Sequence, residues 1–243
     1  MTITLYDIPS TVPGSAFSPN VFKTRMALNF KGLSHKTEWV EYPDIAPRMK
    51  ELGASPTGPP DDPEYTVPVI HDHSTGKIIS NSLDIAQYLD ETYPDTPQLL
   101  PSGPGIAAVF ERYFIQSTTP LSRLMQPTQF PKLNPASHAF FRKSREDWTK
   151  CKVEDILPPG REREEAWSRV KQGMDKLYGL LEKNGKDKPF VFGDRITYAE
   201  FIMAGYLVWV KIMSEEEWVQ ISTWNGGRWD KLLEMTEKYR TIY

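Results

Sequence analysis

The spacing of apolar and polar positions divides this chain into two halves of different kind. Thr2 to Tyr6 alternates β-forming residues and stops at Asp7-Ile8-Pro9, which predicts a short strand and a break. Ser10 to Phe17 is small and polar, with Pro13 and Gly14, and reads as a loop. Ser18-Pro19 has the form of an N-cap and first helical residue: the serine side chain accepts a free amide hydrogen, and proline has none to satisfy. Phe22, Met26 and Phe30 follow on one helix face, with Gly32 as the stop. KTEWVEY, Lys36 to Tyr42, alternates as a half-exposed strand, and Ile45 to Leu52 forms a short helix before Gly53. Thr66 to His71 is a strand containing a proline, His73 to Gly76 a turn, and Lys77 to Ile79 the return strand. From Ser82 a helix places Leu83, Ala86, Tyr88 and Leu89 on one face and ends at Pro94. The order is β-α-β-α-β-β-α over about 90 residues, and a helix between the first two strands makes that pair parallel.

Beyond residue 94 the β pattern disappears. Asp95 to Gly105, DTPQLLPSGPG, holds three prolines and two glycines and reads as a linker between a first domain, 1–94, and a second, 106–243. Ile106 to about Leu124, Ala136 to about Cys151, Glu162 to Glu182 and Tyr198 to Met213 have helical periodicity, with shorter helices after them. The second domain is therefore all-α. One stretch fits neither half: ASPTGPPDDPEY, Ala54 to Tyr65, has four prolines in twelve residues and reads as a surface excursion at the edge of a site.

Composition removes several classes of function. Net charge is −3, which gives no field of one sign to draw nucleic acid or an anionic membrane. No run of about 18 uncharged apolar residues occurs, and MTITLYDIPS lacks the basic and apolar regions of a signal peptide, so a cytoplasmic location is expected. The single cysteine, Cys151, supports neither an internal disulfide nor a CxxC redox pair. His71 and His73 flank a turn with no third ligand indicated, so no metal is expected. Gly-rich phosphate loops, HExxH and GxSxG are absent.

Three short features carry candidate chemistry. Val67-Pro68 sits where a ladder donor is wanted; it is either an edge-strand proline or a cis peptide that frees the Val67 backbone to pair with an extended ligand. Asn81-Ser82 opens a helix whose free amides hold a carboxylate, or it is a cap only. Ser18 is either a cap only or a hydroxyl that lowers the pKa, about 8.5, of a thiol bound beside it; Ser15 reaches the same place if the loop folds over.

SPN at the first helix, TVPVI at the third strand, NS at the last helix of the small domain and a helical second domain together resemble the cytosolic glutathione transferase superfamily, serine type. SPNVFKTRMALNFKGL and SNSLDIAQYLDETYP are most similar to its etherase-like branch, the bacterial lignin β-etherases and the fungal FuA class. The resemblance implies an α+β fold: a thioredoxin-like domain followed by an all-helical one, assembled as a homodimer. It implies glutathione as co-substrate, a cis Val67-Pro68 peptide whose valine pairs with the cysteinyl part, and Asn81 and Ser82 on the γ-glutamyl end. Asn81 departs from the acidic or glutamine residue common there. Ser18 takes the thiolate-stabilising role, with Ser15 as alternate. The implied activity is conjugation to, or cleavage of, hydrophobic aromatic electrophiles or aryl ethers, wood- or lignin-derived, with etherase or peroxidase side activity. The alternative is a ligandin, a carrier of aromatic or phenolic compounds. The acceptor pocket is expected between the domains, lined by Phe17, Phe110, Tyr113 and Phe114. In GDRITYAEF, Thr197 and Glu200 form a capping box that serves folding.

Overall fold

A computed structural model describes residues 2–59, 61–185 and 188–243 of the chain. Pro60, within the proline-rich excursion, lies outside the described residues. The first unit runs β1 (Ile3–Asp7), α1 (Pro19–Phe30), β2 (His35–Trp39), α2 (Ile45–Leu52), β3 (Val69–Asp72), β4 (Lys77–Ser80) and α3 (Ser82–Thr92). The sheet order is β2-β1-β3-β4, with β1 parallel to β2 and antiparallel to β3. Leu5 lies opposite Thr37 on one side and Ile70 on the other. The parallel first pair follows from the helical crossover between those strands. β3 pairs only from Val69, not Thr66, and the Val67-Pro68 peptide before it is cis. Proline offers no ladder donor, so the segment stays outside the sheet.

The second unit contains α4 (Pro104–Ser117), α5 (Leu121–Gln129), α6 (Pro135–Thr149), α7 (Arg161–Leu181), α8 (Tyr198–Met213) and α9 (Glu215–Thr236). Two sequence expectations are corrected. The long helix expected from Ile106 to Leu124 is broken between α4 and α5, because Pro120 lacks the N–H of a continuing turn and its ring crowds the preceding one. The helical unit also starts at Pro104, inside the stretch read as linker, since proline suits a first helical turn. α9 is interrupted by non-helical backbone from Trp224 to Gly227.

α1 is buried on every side from Val21 to Leu28, not on one face, because the sheet lies against one side and α8 against the other. Its charged residues are matched inside. The Arg25 guanidinium bonds Asp7 at 2.7 Å and Thr37 at 2.9 Å, and Lys23 pairs with Glu111 of α4. Burial pushes the Asp7 carboxyl up, and Arg25 pulls it back. α8 is capped by the Thr197–Glu200 box and buried from Tyr198 to Val210 except at Tyr206. Gly205 is what lets it close on α1: a Cβ there would lie 2.5 Å from the Pro19 carbonyl oxygen.

Candidate functional site

Two connected hollows meet at the start of α1. One is a polar cleft of about 270 Å³ lined by Asn20, Lys23, Thr57, Thr66, Val67, Pro68, Asn81, Ser82 and Glu111. The other is a larger cavity of about 660 Å³ whose aromatic walls come from Phe17, Tyr42, Tyr65, Phe140, Tyr206 and Trp209. Asn20, Thr66 and Val67 line both, and Ser18 lines the larger.

Ser18 has the extended backbone of an N-cap, and its Oγ accepts the Val21 amide at 3.4 Å. That contact uses the oxygen's lone pair. Among the described residues the hydroxyl proton meets no protein acceptor and stays available to a ligand at the mouth of the helix dipole. Ser15 is turned away: it adopts φ +64°, and its own backbone is taken up by Val12 and Ser10. It lines neither hollow.

At the other end of the cleft, Asn81 caps α3 with Oδ1 on the Leu83 amide at 3.0 Å, its backbone at φ +73° and ψ 128°, outside the left-handed helical region where asparagine is at ease. Ser82 begins the helix and is buried, so free amides and a hydroxyl face the cleft from one place. Thr57 donates its amide to the Glu64 carbonyl, and its hydroxyl contacts Thr66 at 2.7 Å. The proline-rich excursion thus folds back so that Thr57 edges the cleft and Pro63, Glu64 and Tyr65 edge the cavity. Burial pulls the Lys23 ammonium down, opposed by the Glu111 carboxylate beside it. Burial, with a smaller contribution from Glu111, pushes the Tyr206 phenol up to about 12, which keeps it a neutral donor.

Of the aromatic residues expected in the acceptor pocket, only Phe17 lines the cavity. Phe114 is fully buried and packs edge-on against Tyr206 at 5.4 Å, so it backs the wall. Phe110 and Tyr113 pack half-buried against the core and do not line it. α4 leans on α7 and α8, and it is Glu111 of that helix that reaches the site. The lining residues from α5, α6 and α8 carried no local signal; Asn20, two residues past Ser18 on the same turn, did. Cys151 lies past the end of α6, in neither hollow. The His71 and His73 rings stand 4.0 Å apart, and no group of three metal-ligating side chains occurs among the described residues. No helix among them is long and apolar enough to cross a membrane.

Residues 17–92 match the family model of the glutathione S-transferase N-terminal domain, and residues 105–239 that of the C-terminal domain. A glutathione S-transferase of Ceriporiopsis subvermispora, crystallised in complex with glutathione, is 44% identical with a TM-score of 0.95, covering 100% of this chain and 99% of that one. Glutathione transferase GSTFuA3 from Phanerochaete chrysosporium is 35% identical with a TM-score of 0.93, over 100% and 99% of the two chains. The glutathione S-transferase-like protein ustS of Aspergillus flavus is 31% identical over 241 residues, 93% of this chain and 87% of its own. A thioredoxin-like unit with a cis Val67-Pro68 peptide before β3 is joined to a helical unit, and both domain models match, so the chain belongs to the glutathione S-transferase family.

Proposed function

We propose that the protein binds glutathione in the polar cleft, ionises its thiol through Ser18 and transfers the sulfur to an aromatic electrophile in the larger cavity. The observation that carries this reading is the sharing of Asn20, Thr66 and Val67 by the two hollows at the start of α1. A peptide-like thiol lying in one delivers its sulfur to the edge of the other, beside Ser18. The γ-glutamyl carboxylate takes the free amides and hydroxyl at Ser82, where the helix dipole favours an anion. Its ammonium faces Asn81 and the Glu111 carboxylate, which it shares with Lys23. The backbone of Val67 pairs with the cysteinyl part. Crystallisation of a 44% identical relative with glutathione supports the assignment.

The thiol's proton leaves to solvent at the cleft mouth, and the Ser18 hydroxyl donates a hydrogen bond to the remaining thiolate while its oxygen keeps the helix cap. The thiolate forms a bond to an electrophilic or aryl-ether carbon, and the leaving group departs with its electron pair. Lignin-type aryl ethers are the class proposed, and peroxide reduction is a side activity to include in the assay panel. The protein is a homodimer in this reading, supported by Ile106 and Val109, which are exposed on one face of α4; its mass in solution checks this.

Ser18→Ala tests the mechanism. Losing one preorganised donor lowers kcat by roughly a hundredfold, and the bound thiol's pKa, read from thiolate absorbance, returns toward about 8.5. Ser18→Thr keeps both hydroxyl and cap and retains most activity. A folded Ser18→Ala protein that conjugates as fast as the original reduces Ser18 to a cap. Tight aromatic binding without turnover across a broad panel favours the carrier instead.

A further inference from the structure

We propose that the wall of the aromatic cavity formed by Tyr42, Ser144 and Arg145 is an oxyanion-binding site, and that the acceptors selected there are aromatic carboxylates. The proposal rests on the transferase reading above for its chemistry, although the binding site stands on its own geometry.

The direction of hydrogen bonding in this wall is forced. The Trp209 indole can only donate, and its Nε1 lies 2.9 Å from Gln129 Oε1. The Gln129 amide is thereby oriented, and its Nε2 donates to the Tyr42 hydroxyl oxygen at 3.3 Å. Tyr42 receives that bond and must aim its own proton elsewhere; among the described residues no protein acceptor takes it. Burial raises the phenol's pKa, against the pull of nearby Arg145, so the proton is present at neutral pH.

Arg145 repeats the pattern with a full charge. Its Nε donates to Gln126 Oε1 at 3.0 Å and its Nη1 to Ser144 Oγ at 2.9 Å, both neutral groups. Gln126 is oriented in turn, its amide nitrogen donating to the Ser122 carbonyl at 2.9 Å. The guanidinium rests over the Phe141 ring at 4.8 Å, half-buried, and no carboxylate pairs with it among the described residues. Arg142, one turn earlier on α6, is by contrast matched by Glu146 and Glu154. The other charged residues lining the cavity, Lys50 and Glu64, are exposed at its mouth.

A cation and a phenolic donor therefore border one aromatic-walled cavity, and the protein supplies no anion to them. A planar carboxylate satisfies both, and the attached ring stacks among Phe17, Phe140 and Trp209. A neutral aryl ketone accepts the Tyr42 proton but leaves the guanidinium without a counter-charge.

The test uses the full chain with glutathione and two acceptors of the same ring pattern, the anionic para-chloro-meta-nitrobenzoate and its neutral methyl ester, compared by KM because the ester also activates the ring more strongly. In both, the thiolate bonds the carbon bearing chlorine and chloride leaves with the electron pair. The acid is expected to show a KM roughly tenfold below that of the ester, the scale of one charge-assisted contact. Arg145→Gln abolishes that ratio, Arg145→Lys keeps part of it, and Tyr42→Phe reduces it by a smaller factor. Equal KM values for acid and ester, or a ratio untouched by Arg145→Gln, overturn the proposal. Should neither acceptor turn over, calorimetric binding of the same pair decides the matter. An acid preference lost in Arg145→Gln then upholds the oxyanion site while the transferase reading fails, and no preference removes the site as well.

Discussion

The polar cleft and the aromatic cavity open from the same helix start, yet they are built differently. The cleft is made almost entirely by the first unit, from the starts of α1 and α3 and the segment before β3; among the described residues Glu111 is its one lining residue from the helical unit. What it offers a ligand combines backbone, the free amides at helix starts and the main chain of Val67, with the polar side chains of Asn81, Ser82 and Glu111. The cavity draws on α1, α2, α5, α6, α8 and the proline-rich excursion, and what it offers is side chains. Backbone recognition survives most substitutions, because any residue compatible with a helix start presents the same amides. A wall of side chains changes with each substitution. In the function proposed above, the peptide-like co-substrate meets the first kind of site and the aromatic acceptor the second.

Both depend on α1, and the largest predicted effect removes its anchor. Asp7→Ala leaves the buried Arg25 guanidinium without its counter-charge and is expected to cost about 3–5 kcal/mol in chemical denaturation. Cleft and cavity are lost together, in proportion to unfolding. Gly205→Ala comes next: the added carbon meets the Pro19 carbonyl, so the start of α1 must shift. Overpacking of this kind costs about 1–3 kcal/mol; here the fall in turnover at saturating substrates should exceed what the lost stability explains, since Ser18 moves with Pro19.

Two smaller changes should separate the regions. Ser82→Ala is expected to raise the KM for glutathione roughly tenfold, the scale of one hydrogen bond to a charged group, with little change in the KM of a neutral acceptor. Trp209→Phe does the reverse, because it frees the Gln129 amide that orients Tyr42 and leaves the cleft intact. If either variant moves both constants together, the two regions are one site and the contrast fails.

The smallest effect is one of pH and should touch neither region directly. His35, buried in β2, bonds the Leu33 carbonyl through Nδ1 at 3.0 Å, while its Nε2 has no partner among the described residues; burial lowers its pKa below the ordinary 6.5. The unfolded chain therefore takes up the proton first as pH falls. The contribution of this histidine is fully present above pH 6.5 and is lost as pH drops from there through the lower folded value. His35→Gln should flatten that part of the stability profile in denaturant titrations, without altering the relative affinities of the two regions.

Much of the cleft was legible before any coordinates, and little of the cavity was. Ser18-Pro19 and Asn81-Ser82 announce helix starts by local chemistry, because capping depends on residues within one turn. The strand and helix order of the first unit followed from periodicity, as did α2 and α8 to the residue. Val67-Pro68 could be marked as a position needing explanation, although composition alone left its isomer open. The misreadings share a cause. Phe110, Tyr113 and Phe114 form an aromatic stripe at helical spacing, but a stripe does not say whether it faces a core or a hollow. Lys23 and Arg25 lie off the apolar face marked by Phe22, Met26 and Phe30, yet Glu111 of α4 and Asp7 of β1 pair with them inside the molecule. The chain's own sequence determined where helices start and which backbone amides stand free, since those are decided within a few residues. Only the tertiary structure decided what faces those amides, that Glu111 reaches them from the second unit and that Arg145 borders a cavity without a counter-charge. Such contacts join residues far apart in the chain, such as Lys23 and Glu111, 88 positions apart, and exist only when the helices have packed.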